Sequence, residues 1–254
     1  MADVSRDQES DELAAGSGEA KGSYDSANMN ARRRRILAQA REMIAEEGYH
    51  NFNVRGLARR AGVAQRTLYN AFGSKDYIIA TAIQEYHSDF HKRLREKYPP
   101  ETLTGRLERL IKVRKRELEI KNYTAAIMLV YNSEKSDSII RTQFREIMAK
   151  GLQPLVDTIE RMDFFAPGVT ARQFTERVIT CNYASLSDWA NGTVADDYMV
   201  RDAVETFLIV LVGMTCSAIQ VEGNVWLEDI RANGRRWRAL LEEVDASLAA
   251  SAKG

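Results

Sequence analysis

Gln65, Arg66, Thr67, Tyr69 and Asn70 crowd into one short segment, and they are the residue types that read a base edge or grip a phosphate. An Arg fork bridges O6 and N7 of guanine, a Gln amide bridges N6 and N7 of adenine, and a Thr methyl packs on the thymine methyl. A Tyr hydroxyl donates to a phosphate oxygen, which sets register without reading sequence. At about 100° per residue, Arg66, Tyr69 and Asn70 leave one side of a helix. Gln65 and Thr67 flank them, and Ala64, Leu68, Ala71 and Phe72 share the opposite, inward side. An apolar inner face under a hydrogen-bonding outer face is what a major-groove reader needs. The same pattern also suits a plain helical hairpin whose polar face meets only water.

The elements that must hold this segment are legible on both sides of it. Ile36, Leu37, Ala40, Met43 and Ile44 form the apolar face of a helix from about Asn30 to Glu47, which Gly48 stops. Asn53 can cap a second, short helix buried through Val54, Leu57, Ala58 and Ala61. Gly62 supplies the tight turn, because glycine takes a left-handed conformation cheaply. Val63 then leads into a third helix ending at Phe72, and Ser74 caps a long fourth one that runs to Pro99-Pro100. Two short helices joined by a Gly-containing turn make a helix-turn-helix.

The formal net charge is zero, but the charge is segregated. Residues 1–28 are acidic, rich in Gly, Ser and Ala, and without period, which predicts a disordered acidic tail. From Arg32 to Lys75 the bases include Arg32 to Arg35, Arg41, Arg55, Arg59, Arg60 and Arg66, opposed by Glu42, Glu46 and Glu47 alone. Such segregation predicts one positive surface. Arg32 and its neighbours open the first helix, where basic arms reach phosphates or the minor groove; a solvated basic helix start is the alternative.

Beyond residue 100 the chain reads as further helices near 102–120, 123–132, 136–162, 170–191, 197–222 and 225–250. The expected architecture is all-α: the tail at 1–28, a three-helix DNA-binding domain with helix-turn-helix at 29–75, and a larger helical domain at 76–254. No apolar run reaches the roughly 18 residues of a membrane span, and the N-terminus lacks a signal-peptide core, so a cytoplasmic protein is expected. Cys181 and Cys216 read as free buried thiols. His87 and His91 share a helix face at i, i+4, but no Cys lies near and the residues between them lack the His-Glu-x-x-His order, so no metal, cofactor or enzymatic constellation is expected.

Ala61-Gly62-Val63, Thr67-Leu68-Tyr69, Phe72 and Lys75 stand in a register that resembles the TetR family of transcriptional regulators. Ile36-Leu37, Glu47-Gly48-Tyr49 and Leu57-Ala58 resemble the family's first two helices, so the likeness covers about residues 31–80. It implies operator DNA as partner and a phosphate contact from Lys75 at the start of the fourth helix. Two positions depart from the pattern. Ala64 stands where members often have a capping Ser, and Ala71 where many have His. Losing the cap costs about 0.5–2 kcal/mol if nothing replaces it.

For the body the resemblance implies helices, ligand binding and a homodimer. Phe174, Trp189, Val204, Phe207 and Leu211 are the expected dimer-interface residues, because their helices are rich in apolar side chains and the second is apolar nearly all round. Tyr123, Met128, Tyr131, Phe144, Met148 and Tyr183 suit the lining of a pocket for a mostly apolar small-molecule effector, though aromatic and Met positions also serve as plain core. The expectation is a homodimeric repressor released from its operator by that effector. An activator, an effector-independent regulator, or a helical interaction protein that no longer binds DNA are the alternatives.

Overall fold

In the computed structural model the backbone is described over residues 8–97, 101–132 and 138–251, and side chains over 28–86, 101–132 and 141–250. Eleven helices account for nearly all of it: α1 Gln8–Asn51, α2 Val54–Ala61, α3 Gln65–Phe72, α4 Lys75–Lys97, α5 Leu103–Glu119, α6 Lys121–Asn132, α7 Ser138–Arg161, α8 Ala171–Ala190, α9 Met199–Met214, α10 Ser217–Arg231 and α11 Arg235–Ser251. The all-α expectation holds. Of the tail expected over residues 1–28, residues 1–7 lie outside the described residues, and from Gln8 the backbone is part of α1.

The helix boundaries have local causes. Gly48, at φ 73°, breaks the helical path of α1 before Phe52 N returns to Gly48 O at 3.2 Å. Asn53 Oδ1 accepts from Gly56 N at 2.7 Å and starts α2; Gly62, at φ 63°, ends it. Thr102 caps α5 through Gly105 N at 3.1 Å, and Thr170 with Gln173 forms a reciprocal capping box on α8.

The sequence predicts one helix over 197–222 with a break at Gly223-Asn224, and here the structure differs. α9 stops at Met214, and α10 runs through Gly223 to Arg231. The cause is tertiary. Thr215 turns extended and bridges Phe165, with Ala166 N donating to Met214 O at 3.1 Å and Cys216 N to Phe164 O at 2.8 Å. Gly223 is needed for another reason: a Cβ there would meet Val212 Cγ2 at 2.8 Å, so glycine lets α10 lie close on α9.

Two apolar cores result. One joins α1–α4 to α6, α8 and Phe144 of α7, from Ile36 and Leu37 through Leu68 and Phe72 to Tyr183 and Trp189. The other joins α5, the end of α7, the start of α8, and α9–α11. The first core passes across residue 75 without interruption, so the short N-terminal helices are packed directly on the larger body. Among the described residues, no helix is long and apolar enough to cross a membrane.

Candidate nucleic-acid interface and internal cavity

α3 is held from below by Leu68 and Phe72, at 0% and 4% exposure, while Gln65, Arg66, Tyr69 and Asn70 face outward and Thr67 is half-buried. Ala64 and Ala71, expected on the inner face, are exposed; the α3 anchor is narrower, two residues one turn apart. No side chain caps α3 at Ala64, whose carbonyl accepts from Thr67 N at 3.0 Å. Gly56 brings α2 close to α1, since a Cβ would lie 2.9 Å from Met43 Cε.

Around this face the arginines divide. Arg32, Arg55 and Arg59 are exposed. Arg33 stacks its guanidinium 4.7 Å from the Phe72 ring centre, tying α1 to the end of α3. Arg60 is engaged by Glu46 at 2.7 Å and Glu47 at 2.6 Å, which removes it and two of the three opposing carboxylates from the positive face. Lys75 Nζ donates to Tyr49 O at 3.1 Å and lies 4.6 Å from the Tyr49 ring centre, while Tyr49 Oη donates to Asp76 at 3.0 Å. The lysine is thus drawn toward the α1–α2 corner. Ser74 Oγ accepts from Tyr77 N at 3.1 Å, as a cap on α4.

A cavity of about 60 Å³ lies within the body between α5, α6, α7 and α8. Of the six residues expected to line a pocket, Phe144, Met148 and Tyr183 line this one. The other three do not. Tyr131 stacks behind Tyr183, centres 4.2 Å apart; Tyr123 packs edge-on to Tyr86; Met128 lines a separate depression with Tyr49 and Leu129. Tyr183 Oη donates to Phe144 O at 3.0 Å, and burial pushes its phenol well above the usual range.

The residues that sequence reasoning missed are polar. Arg106, Leu110, Val113, Arg114 and Glu117 present one face of α5 to the cavity, and Asn182 of α8 completes the polar wall. Arg114 donates to both Glu117 and Asn182 Oδ1. Burial raises the Glu117 carboxyl, and Arg114 opposes the shift. Arg106, 7% exposed, is pulled down to about 9 by burial and then by Arg109 and Arg114, so it stays protonated at neutral pH. A signal existed: positions 106, 110, 113, 114 and 117 fall on one helix face and mix charge with Leu and Val, which a solvated face does not need.

Phe174, Trp189, Val204, Phe207 and Leu211 lie inside the protomer, none more than 4% exposed. This corrects their expected place at a dimer interface: their helices are covered by α5, α7 and α10, which use up those faces. The exposed large apolar residues of α9 and α10 are Ile209 and Val221, at 53% and 62%. Cys181 and Cys216 are half-buried thiols rather than buried ones. The side chains of His87 and His91 lie outside the described residues; among those described, no group of His, Cys, Asp or Glu is placed to hold a metal.

The arrangement agrees with known proteins. The family model of bacterial regulatory proteins, tetR family, matches residues 36–82, which contain α2, α3 and the start of α4. The chain is 29% identical over 124 residues to the fatty acid metabolism regulator protein of Bacillus subtilis (strain 168), a match covering 49% of this chain and 63% of that relative. The fold is similar to the Thermus thermophilus FadR, a transcriptional repressor solved in complex with lauroyl-CoA, with TM-score 0.60, 14% identity, and coverage of 73% of this chain and 96% of that one. It is also similar to the Bacillus subtilis FadR in complex with stearoyl-CoA, with TM-score 0.51, 21% identity, and coverage of 70% and 96%. With a helix-turn-helix at its N-terminal end and an all-helical body around an internal cavity, the chain matches the tetR family of bacterial regulatory proteins over residues 36–82 and is similar in fold to regulators of that family.

Proposed function

We propose that this protein is a repressor that binds operator DNA as a homodimer and leaves it when an apolar effector enters the α5–α8 cavity. The observation that carries this is α3: Gln65, Arg66, Tyr69 and Asn70 stand free on its outer face while Leu68 and Phe72 fix it to the core. Two copies of α3 about 34 Å apart enter successive major grooves of a pseudo-palindromic site. Lys75, Arg55 and Arg32 serve phosphates. Ile209 and Val221 supply apolar surface for a partner copy.

The cavity supports effector control. Its lining is mostly apolar, and relatives of similar fold carry acyl-CoA ligands. At about 60 Å³ it has room for a few waters, so an effector must select a state in which α5–α8 stand further apart. That state would change the spacing of the two α3 helices. The test is a gel shift on the DNA upstream of the protein's own gene, at several salt concentrations, with and without lauroyl-CoA. Retardation that weakens with salt and is released by the ligand is expected. No retardation at low salt would reject the DNA-binding reading.

A further inference from the structure

We propose that the effector is an apolar carboxylate whose head is received by Arg106 and Asn182 and whose chain lies against Leu110, Phe144 and Met148. This rests on the reading of the α5–α8 cavity as the effector site, and narrows it from an apolar molecule to an apolar anion.

The ground is a missing negative charge. A buried guanidinium is retained when a carboxylate and hydrogen bonds compensate it, and is costly otherwise. Arg114 has its carboxylate in Glu117. Arg106 is only 7% exposed, and its Nε has no acceptor among the described residues. The charged groups that act on it, Arg109 and Arg114, share its sign. Its guanidinium lies 5.5 Å from the centre of the Phe207 ring, which softens the cost without cancelling the charge.

A second donor stands on the same wall. The Oδ1 of Asn182 is taken by Arg114, and its Nδ2 has no acceptor among the described residues. Arg106 and Asn182 line the cavity together. A planar fork beside an amide N–H₂ matches the two oxygens of a carboxylate. Arg114 and Glu117 are paired with each other on that wall, and the rest, Leu110, Ile127, Phe144, Met148 and Leu186 with the Tyr183 ring, suits a hydrocarbon chain. The head then supplies the charge that the empty protein lacks, so binding favours the liganded state through charge as well as burial.

The experiment uses the full chain and four probes: decanoate, 1-decanol, inorganic phosphate and lauroyl-CoA, all below micellar concentration, followed by calorimetry and by operator titration. Decanoate is expected to bind at least about tenfold more tightly than decanol and to weaken operator binding, with phosphate far weaker. Arg106→Gln should abolish that preference while the protein stays folded. Asn182→Asp puts a carboxylate inside the protein beside the same arginines; it should raise Tm and block decanoate, and it serves where Arg106→Gln does not fold. Equal binding of decanoate and decanol would overturn the anionic head and leave the effector cavity standing, as would phosphate binding as well as decanoate. If no probe, lauroyl-CoA included, binds or moves operator affinity, the effector reading itself falls and the carboxylate with it.

Discussion

Arg116 Nε donates to the Tyr86 hydroxyl at 2.7 Å, joining the helix that walls the cavity to the helix that follows α3. One face of α5 carries Arg106, Arg114 and Glu117 into the cavity, and Arg116 leaves from another face to reach α4. The next residue back along α4, Glu85, pairs with Arg41 of α1 at 3.0 Å. A displacement of α5 by an effector therefore has a physical route to α4, whose first residue lies three positions after Phe72. Such a route matters only if both ends have two arrangements to choose between.

Tyr86→Phe tests the route. The substitution keeps the ring against Tyr123 and removes the hydroxyl to which Arg116 donates, a bond worth about 1 kcal/mol. Operator affinity without effector should stay the same, and the effector's effect on it should shrink by about fivefold. Titration of operator with and without decanoate reads both quantities. Unchanged coupling would move the route to the α1–α6 contact, where Asn122 Nδ2 donates to Ala45 O at 3.0 Å.

DNA contacts should separate by kind. Arg66→Ala and Gln65→Ala should each cost about 1–3 kcal/mol and relax preference at particular operator positions. Lys75→Met should weaken all sequences alike and reduce the salt slope by about one. Because Lys75 also binds Tyr49 O, it should lower thermal stability by about 1 kcal/mol, which Arg66→Ala should not. A change of base preference in Lys75→Met with none in Arg66→Ala would reverse the assigned roles.

The half of the molecule that was legible in the sequence is the half governed by local rules. Gly62, Asn53 and Ser74 act within a few residues of themselves, so α2, α3 and the start of α4 follow from spacing alone. The end of α9 does not, because Thr215 leaves the helix to bridge Phe165, a residue far away in the chain. Nor does the polar wall of the cavity. Arg106, Arg114 and Glu117 look like ordinary surface charge until the helices packed around α5 bury them. The aromatic residues misled in the other direction: Tyr123 and Met128 have the chemistry of a pocket lining and are used as core between helices.

Gly223→Val should be destabilising out of proportion to its size. The new Cβ would sit 2.8 Å from Val212 Cγ2 and 3.2 Å from Leu211 Cδ2. Val212 is β-branched and stiff, so α9 and α10 must part. Overpacking of this kind costs about 1–3 kcal/mol. A calorimetric Tm lower by about 2–4 °C per kcal/mol is the expected reading, with α3 and operator specificity untouched.

The last prediction concerns assembly, where burial separates two classes of residue on α9 and α10. Phe207 and Leu211 are closed inside the protomer, at 4% and 0% exposure. Phe207→Glu should therefore place an unpaired carboxylate in the second core and unfold the body, because no partner surface is involved. Ile209 and Val221 are 53% and 62% exposed, so a charge at either position costs the isolated protomer little. If two copies meet there, Ile209→Glu and Val221→Glu bury that charge only in the dimer. They should yield a folded protomer with unchanged helix content, half the sedimenting mass, and operator affinity lower by orders of magnitude, since each half-site is then bound alone. Circular dichroism and sedimentation together distinguish the cases. A folded Phe207→Glu protein that has merely lost its partner would restore Phe207 to the interface. Tight dimers from both Ile209→Glu and Val221→Glu would place the contact on another face of the body.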